Sequence, residues 1–442
     1  MTPAARVQAS IELIDEIERS RRAAGRIQAD YVRARRYIGA KDRRAIEALT
    51  FAVVRDRARL AWWLNNVAPE ARGDDRLTPR LLVLAALARD PQTKSQIAAM
   101  FDAGGHGPAP LGTAERAALA ALTAPANDWP AARAAMPAPI RDNYPSWLVP
   151  ELTEAFADDL PAEMAALDQP AAVDVRVNQR RADRDSVLAA LGRDGIDAAP
   201  TPLSPLGIRV NGHPPLTAHR LYRQGLIEVQ EESAQLAALL VDASGAGCVV
   251  DYCAGAGGKT LALAAAMAGR GRLIACDRDP ARLARLALRF ARAGEAPIER
   301  QVVQRADDPW VLGHHRLADR LLLDVPCSGS GTWRRHPEAR NRLSAAELAG
   351  YRREQDALLA GASALVKPGG RLIYVTCSIL PSENQHRVTA FLESKPDFEI
   401  LPLAQVWRSC LPGPYPGVAS WLTLTPRRHG CDGMFVAILT RH

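Results

Sequence analysis

The stretch DYCAGAGGKT, residues 251–260, follows the apolar run Cys248-Val249-Val250 and decides how the C-terminal half of the chain is read. Its glycines and Lys259-Thr260 invite comparison with a phosphate-binding loop. A Walker loop needs a glycine, four residues, then Gly-Lys-Ser/Thr, so that backbone N–H groups wrap the phosphates. Counted back from Gly258-Lys259, that first glycine falls on Cys253, and the match fails. The dinucleotide pattern G-x-G-x-x-G fits Gly255 and Gly257 but meets Thr260 where its third glycine belongs. What remains is an apolar strand ending in an acid, then small residues opening a helix. Such a turn lets backbone approach a ligand closely.

A second acid, Asp277, closes the next apolar run 20 residues after Gly257. That is about the separation at which an acid reaches a ribose hydroxyl in this kind of turn. A nucleoside-type ligand with no phosphate requirement, such as S-adenosylmethionine, fits this pair better than a tight turn with no ligand. Outward from the loop, GCVVDY, RLIACD, RQVVQRAD, RLLLDVP, GGRLIYVTCS and MFVAIL alternate with helical segments such as PARLARLALRFARAG. Alternation of that kind predicts an α/β, mostly parallel, doubly wound sheet, with ligands at the carboxyl ends of its strands.

Upstream the pattern changes. Residues 1–138 carry apolar positions at helical spacing, and Thr78-Pro79 is a helix-start signal. Prolines at 125, 130, 137, 139, 145 and 150 suggest a linker or a change of domain. Residues 139–224 read as a small α/β unit, with strands at VDVRVN (173–178) and LGIRV (206–210) and a short helix closing on Gly195. The third domain is 225–442.

The formal charge of +7 suits a polyanionic partner. Only five of the 56 basic residues are lysine, a skew that also follows from genome composition. The seven cysteines form no C-x-x-C pair, which argues against a zinc ribbon or a disulfide scaffold and for a reducing, cytoplasmic setting. No apolar run is long enough to span a membrane, and no metal site is expected.

DVPCSGSG (324–331) and VTCS (375–378) each place a cysteine directly after a predicted strand, at the ligand edge of the sheet. Cys248 and Cys276 lie inside strands and read as buried structural thiols. Cys327 and Cys377 are candidate nucleophiles, since a thiolate is favoured by nearby positive charge. Two thiols and a methyl donor point to one reaction class. Carbon 5 of a pyrimidine is too poor a nucleophile to take a methyl group until a thiolate adds to carbon 6. Asp324 is placed to assist at N3 of the base.

These residues match a family. GLIEVQEESAQLAALLV (225–241), DYCAGAGGKT, IACDRD, LLLDVPCSGSGTWRRHPE (321–338), LIYVTCSILPSENQ (372–385) and HGCDGMFVAIL (429–439) resemble, in that order, the RNA cytosine-5 methyltransferases of the bacterial ribosomal small-subunit methyltransferase B type. The resemblance implies a Rossmann-like class I S-adenosylmethionine-dependent methyltransferase domain. It implies that Cys377 is the nucleophile and that Cys327 helps release the product. Cys253, Ala254, Gly255, Ala256, Gly257, Gly258 and Lys259 would line the methionine and adenosine of the cofactor. Asp277 would hold the ribose, Asp307 would face the adenine, and Asp324 would lie between cofactor and cytosine. Gly255-Ala256 stands where the family usually has Ala-Pro, and no loss of activity is expected from that departure. The helical N-terminus resembles the NusB-like RNA-binding domain of bacterial members, and residues 144–191 a small RNA-recognition-like domain without its stacking aromatics.

The expected partner is RNA, ribosomal in preference to transfer RNA, with the protein acting as a monomer. The arginines between Arg19 and Arg44 are expected to contact phosphates. Arg282, Arg285, Arg289 and Arg292 lie on one helical face and read equally well as a solvated stripe or an RNA contact. Arg334, Arg335 and His336 could approach the backbone of the target nucleotide. Lys259 serves either the cofactor or the RNA. The rival readings, a P-loop ATPase and a non-catalytic RNA-binding factor, are disfavoured by Cys253 and by the paired thiols respectively.

Overall fold

The computed structural model describes residues 1–71, 77–101, 104–212, 214–305, 307–418 and 420–442, which divide into two compact units. One comprises Met1–Pro150 together with Arg335–Leu343; the other comprises Glu151–Arg334 and Ser344–His442.

The first unit is helical. Thr2 and Thr78 cap the helices Pro3–Arg19 and Pro79–Arg89 with their hydroxyls, and the proline after each sits in the first turn, where a missing N–H costs nothing. Every residue from Leu81 to Ala88 is buried, so this helix is the hub against which Leu13, Ile46, Leu60 and Trp63 pack. The proline-rich stretch is not a linker. Its prolines open the short helices Trp129–Ala135 and Ala138–Arg141, and the Arg59 guanidinium donates to the Arg141 carbonyl at 2.7 and 2.9 Å. Residues 335–343 belong to the same body. Glu338 accepts the Ala24 N–H at 2.9 Å, and Arg340, Asn341 and Arg342 donate to the carbonyls of Arg55, Val54 and Ile17. Carbonyls at helix C-termini have no intrahelical donor, and this segment supplies one.

The second unit holds two sheets. The smaller is antiparallel, in the order β2-β3-β1-β4, from β1 (Val173–Val177), β2 (Ala198–Pro200), β3 (Gly207–Val210) and β4 (Ile227–Val229). The sequence reading found β1 and β3 but not the three-residue strands β2 and β4, which are too short to show an alternating pattern. The larger sheet contains β5 (Cys248–Asp251), β6 (Arg272–Asp277), β7 (Glu299–Val302), β8 (Ala318–Asp324), β9 (Val366–Thr376), β10 (Phe398–Ile400), β11 (Leu422–Leu424) and β12 (Met434–Arg441). Its order is β10-β12-β9-β8-β5-β6-β7, with β11 paired to β12. The five strands β5 to β9 run parallel; β10, β11 and β12 add antiparallel. This is the Rossmann-like arrangement expected, with the strand order reversing between β5 and β8. Among the described residues, no helix is long and apolar enough to cross a membrane.

Candidate active site

The cavity lies at that reversal. It measures about 680 Å³ and is lined by the loop after β5, by Asp277 after β6, by Asp324 to Cys327 after β8, and by Tyr351, Glu354 and Leu358 of the helix Ala345–Ala362.

The loop from Tyr252 to Gly257 turns sharply enough to need left-handed backbone at two glycines, Gly255 at φ +57° and Gly257 at φ +83°. A Cβ at Gly257 would stand 2.6 Å from Leu286 Cγ, so only glycine fits. The Ala254 N–H bonds to the Cys276 carbonyl at 2.8 Å, and the Gly255 N–H to Asp277 Oδ2 at 2.8 Å. The other Asp277 oxygen accepts from the Asp279 N–H, so backbone donors fix the carboxylate at the cavity wall. Asp251 is buried under the loop. Thr260 donates to Oδ2 at 2.7 Å, while Oδ1 has no hydrogen-bond partner among the described residues. Burial pushes this carboxyl up to about 7.

Lys259 reaches across from the helix Gly258–Met267 and places Nζ 2.7 Å from Asp324 Oδ2. Burial works against its charge, but Asp324 outweighs it, aided by Cys377 and Asp251, and holds the ammonium above its ordinary value. Neighbouring parallel strands β8 and β9 bring the two cysteine loops side by side, with Cys327 Sγ and Cys377 Sγ 3.3 Å apart. Cys327 lines the cavity, whereas Cys377 sits just behind it. The contact with Cys377, burial, and the Glu383 charge together push the Cys327 thiol well up.

Glu383, fully buried, gathers both loops. Its carboxylate accepts from the Ser328 N–H at 2.8 Å, the Ser328 hydroxyl, the Ser378 hydroxyl at 2.5 Å and Gln355 Nε2 at 3.0 Å. Asn384 adds a bond from Nδ2 to the Ser378 carbonyl at 2.9 Å, and the Gly331 N–H bonds to the Cys377 carbonyl at 3.0 Å.

The family profile described as 16S rRNA methyltransferase RsmB/F matches residues 238–440, and the profile described as an RsmF/B-like ferredoxin-like domain matches 144–217. A Synechocystis sp. protein named "Probable ribosomal RNA small subunit methyltransferase B" is 32% identical over 303 residues, 68% of this chain and 67% of its own length. The chain belongs to this family. A ribosomal RNA small subunit methyltransferase B from Klebsiella pneumoniae is 28% identical over 385 residues, 85% of this chain and 88% of its own. Among solved structures, a methyltransferase homolog protein from Pyrococcus horikoshii is 25% identical, with a TM-score of 0.58, and covers 69% of this chain and 98% of that one.

Like its family, the chain is an S-adenosylmethionine-dependent methyltransferase, and the cavity residues fit that cofactor. The unpartnered Asp251 oxygen suits an ammonium group, Asp277 a pair of ribose hydroxyls, and the loop a close-lying adenosine. When bound, the cofactor supplies an electrophilic methyl group. Of the residues expected to line it, Cys253, Ala254, Gly255, Ala256, Gly258, Lys259, Asp277 and Asp324 border the cavity. Gly257 does not; it shapes the turn from behind. Asp307 is also absent from the wall. Its side chain is 69% exposed and paired with Arg305, and Asp308 caps the helix Pro309–Gly313. Gln304 and Arg305 line that end instead, because the chain leaves β7 before either acid.

Two basic expectations change. Arg334 is buried and paired with Asp432 and Glu231, so it is no free contact for an RNA backbone. Arg289 and Arg292 are only partly exposed and both turn to the buried Glu228. Glu383, Asp251 and Tyr351 were missed as site residues. Glu383 stood within the quoted SENQ, but nothing in its spacing marks a carboxylate that folds back over two loops.

Proposed function

We propose that the protein transfers a methyl group to carbon 5 of a cytosine in ribosomal RNA of the small subunit, through a covalent bond between Cys377 and carbon 6. The observation that carries this reading is the pair of thiols 3.3 Å apart, one of them at the cofactor cavity, beside the Lys259–Asp324 pair. Cys377 Sγ adds to carbon 6, and the electron pair of the 5,6 double bond moves to carbon 5. Asp324 and Lys259 hydrogen-bond to the N3–C4 edge of the base and hold the charge that gathers there. After methyl transfer, with S-adenosylhomocysteine as the leaving group, the proton on carbon 5 passes to solvent, its electron pair re-forms the double bond, and Cys377 is expelled as the thiolate that added. Cys327, the adjacent thiol, serves this release step. The cytosine must be unstacked, because no thiol reaches carbon 6 within a helix.

An RNA substrate is supported by the exposed Arg26 of the helix Ala24–Ala34, Arg36 in the turn after it, and Lys41, Arg43 and Arg44 of the helix Ala40–Arg55, none of which has a carboxylate partner among the described residues. The names carried by the relatives favour small-subunit ribosomal RNA over transfer RNA. Incubation of the protein and S-adenosylmethionine with unmodified 16S RNA, followed by bisulfite sequencing, tests the reading. A single new protected cytosine is expected; none, with methyl label on another base or on transfer RNA alone, overturns it.

A further inference from the structure

The helix Pro280–Ala293 carries arginines at 282, 285, 289 and 292, and two of them reach a place that a charged stripe has no reason to reach. Arg289 Nη1 donates to the carbonyl of Ala256 at 2.9 Å, while its Nη2 donates to Glu228 Oε1 at 2.9 Å. Glu228, on β4, is buried and takes Arg292 on its other oxygen. Arg292 in turn donates to the Tyr222 hydroxyl at 2.7 Å, with its guanidinium 3.8 Å above the Tyr222 ring. From β1, the buried Arg176 donates to the Gly258 carbonyl at 3.0 Å and to the side chain of Gln230, which itself lines the cavity.

The cofactor loop is therefore gripped on both sides of Gly257, at the carbonyls of Ala256 and Gly258, by guanidinium groups that the small antiparallel sheet supplies or holds in place. A trans peptide is rigid, so fixing its carbonyl fixes the plane and the direction of the N–H on its other side. That matters here because Gly255 and Gly257 have left-handed backbone and no side chains to hold them. Lost conformational entropy is largest for glycine, and an unheld glycine loop must be ordered by the ligand at the ligand's expense. Burial brings the Arg176 guanidinium down to about 10, against the pull of Glu228, so its charge is kept at a cost that a surface stripe would not bear.

We infer that Arg289, held by Glu228, is a positioning residue for S-adenosylmethionine. On this reading the small sheet, through Arg176, Glu228 and Gln230, acts as the back wall of the cofactor site and not as an RNA reader. Lysine cannot replace Arg289 fully, since one ammonium lacks the fork that spans a carbonyl and a carboxylate at once. The inference concerns the cofactor alone and stands or falls independently of which base is methylated.

Titration calorimetry of the full chain with S-adenosylmethionine, without RNA, is the test. Arg289→Gln is expected to weaken binding about tenfold, equivalent to one lost charge-assisted bond plus loop ordering. Arg289→Lys should fall between that variant and the wild type, and Arg285→Gln, an exposed neighbour on the same helix, should bind as the wild type does. In turnover assays KM for the cofactor should rise while kcat and KM for RNA stay within about twofold. If Arg289→Gln does not fold, Arg289→Lys carries the same reading with a smaller rise. Unchanged cofactor affinity in the folded variants overturns the inference. So does a rise confined to KM for RNA, which would restore these arginines to an RNA-facing role.

Discussion

Between Cys253 and Lys259 the backbone is pinned from behind by guanidinium groups on its carbonyls, whereas the loops of Cys327 and Cys377 are gathered round one buried carboxylate. The first arrangement leaves the acids Asp251 and Asp277 lining a cavity of about 680 Å³, with room for a ligand. The second fills its interior. Glu383 accepts from both cysteine loops, Ser330 and Ser378 bond at 2.9 Å, and the two sulfurs are left touching. Binding a cofactor that is exchanged every turnover calls for a loop held in shape from outside its open face. The proposed covalent route calls for two thiols whose separation does not drift, and misplacement by an ångström is costly.

If the two sides divide the work in this way, variants should separate them. The largest effect is expected from Cys377→Ala. Removing the proposed nucleophile should lower methyl transfer by more than about 10³-fold, with calorimetric affinity for S-adenosylmethionine within about twofold. Methylation at a normal rate would remove Cys377 from the mechanism. Cys327→Ala should instead stall after bond formation. A protein–RNA adduct that survives a denaturing gel is the expected product under turnover conditions, and its absence would deny Cys327 the release step.

Glu383→Ala tests the scaffold of the thiol side. It leaves the Ser328 N–H and one N–H of the Gln355 amide, whose nitrogen keeps its bond to the Pro326 carbonyl, without an acceptor, at a cost of about 1–3 kcal/mol for each orphaned buried donor. A lower melting temperature and a kcat reduced on the order of 10²-fold are expected, with cofactor affinity nearly unchanged. An equal loss of cofactor affinity would show that the two sides are one cooperative unit. Gly257→Ala is the mirror experiment. Its methyl group would meet Leu286 at 2.6 Å on left-handed backbone, so cofactor affinity should fall by about tenfold or more. The rate at saturating cofactor should hold.

How far each side was legible in the sequence follows from the same contrast. Cys327, Cys377 and the glycines stood next to strand ends, where the strand pattern alone places ligand chemistry, and their neighbours in sequence remain their neighbours in space. The supports were not legible. Glu383 acts across 55 residues on Ser328, and Arg289 across 33 on Ala256, and neither separation has a periodicity. Helical spacing puts Arg289 in a stripe, since it shows which residues share a face but not what that face meets. Asp307 misled for the opposite reason. An acid after a strand looks like its counterpart Asp277, yet Asp277 is tied to two backbone N–H groups and Asp307 lies in solvent with Arg305.

The smallest effect expected is a pH dependence of cofactor binding set by Asp251. Its carboxyl titrates at about 7 because burial disfavours the charged form, with Asp324 and Asp277 adding to the rise and the Thr260 bond and Lys259 opposing it. The folded-state value lies above the ordinary one, so the free protein holds a proton on Asp251 in slightly acidic solution and loses it above neutrality. A positively charged ammonium prefers the ionised form. Affinity should therefore tighten as pH rises from 6 to 8, by up to about tenfold if only the ionised form binds. Asp251→Asn, which keeps the shape and cannot ionise, should bind more weakly at pH 8 and show a flat profile over the same range. A profile that keeps its slope in Asp251→Asn would assign the proton to another group. A wild type that is flat would mean that the unpartnered oxygen of Asp251 takes no part in holding the methyl donor, and that the cofactor side rests on its pinned loop alone.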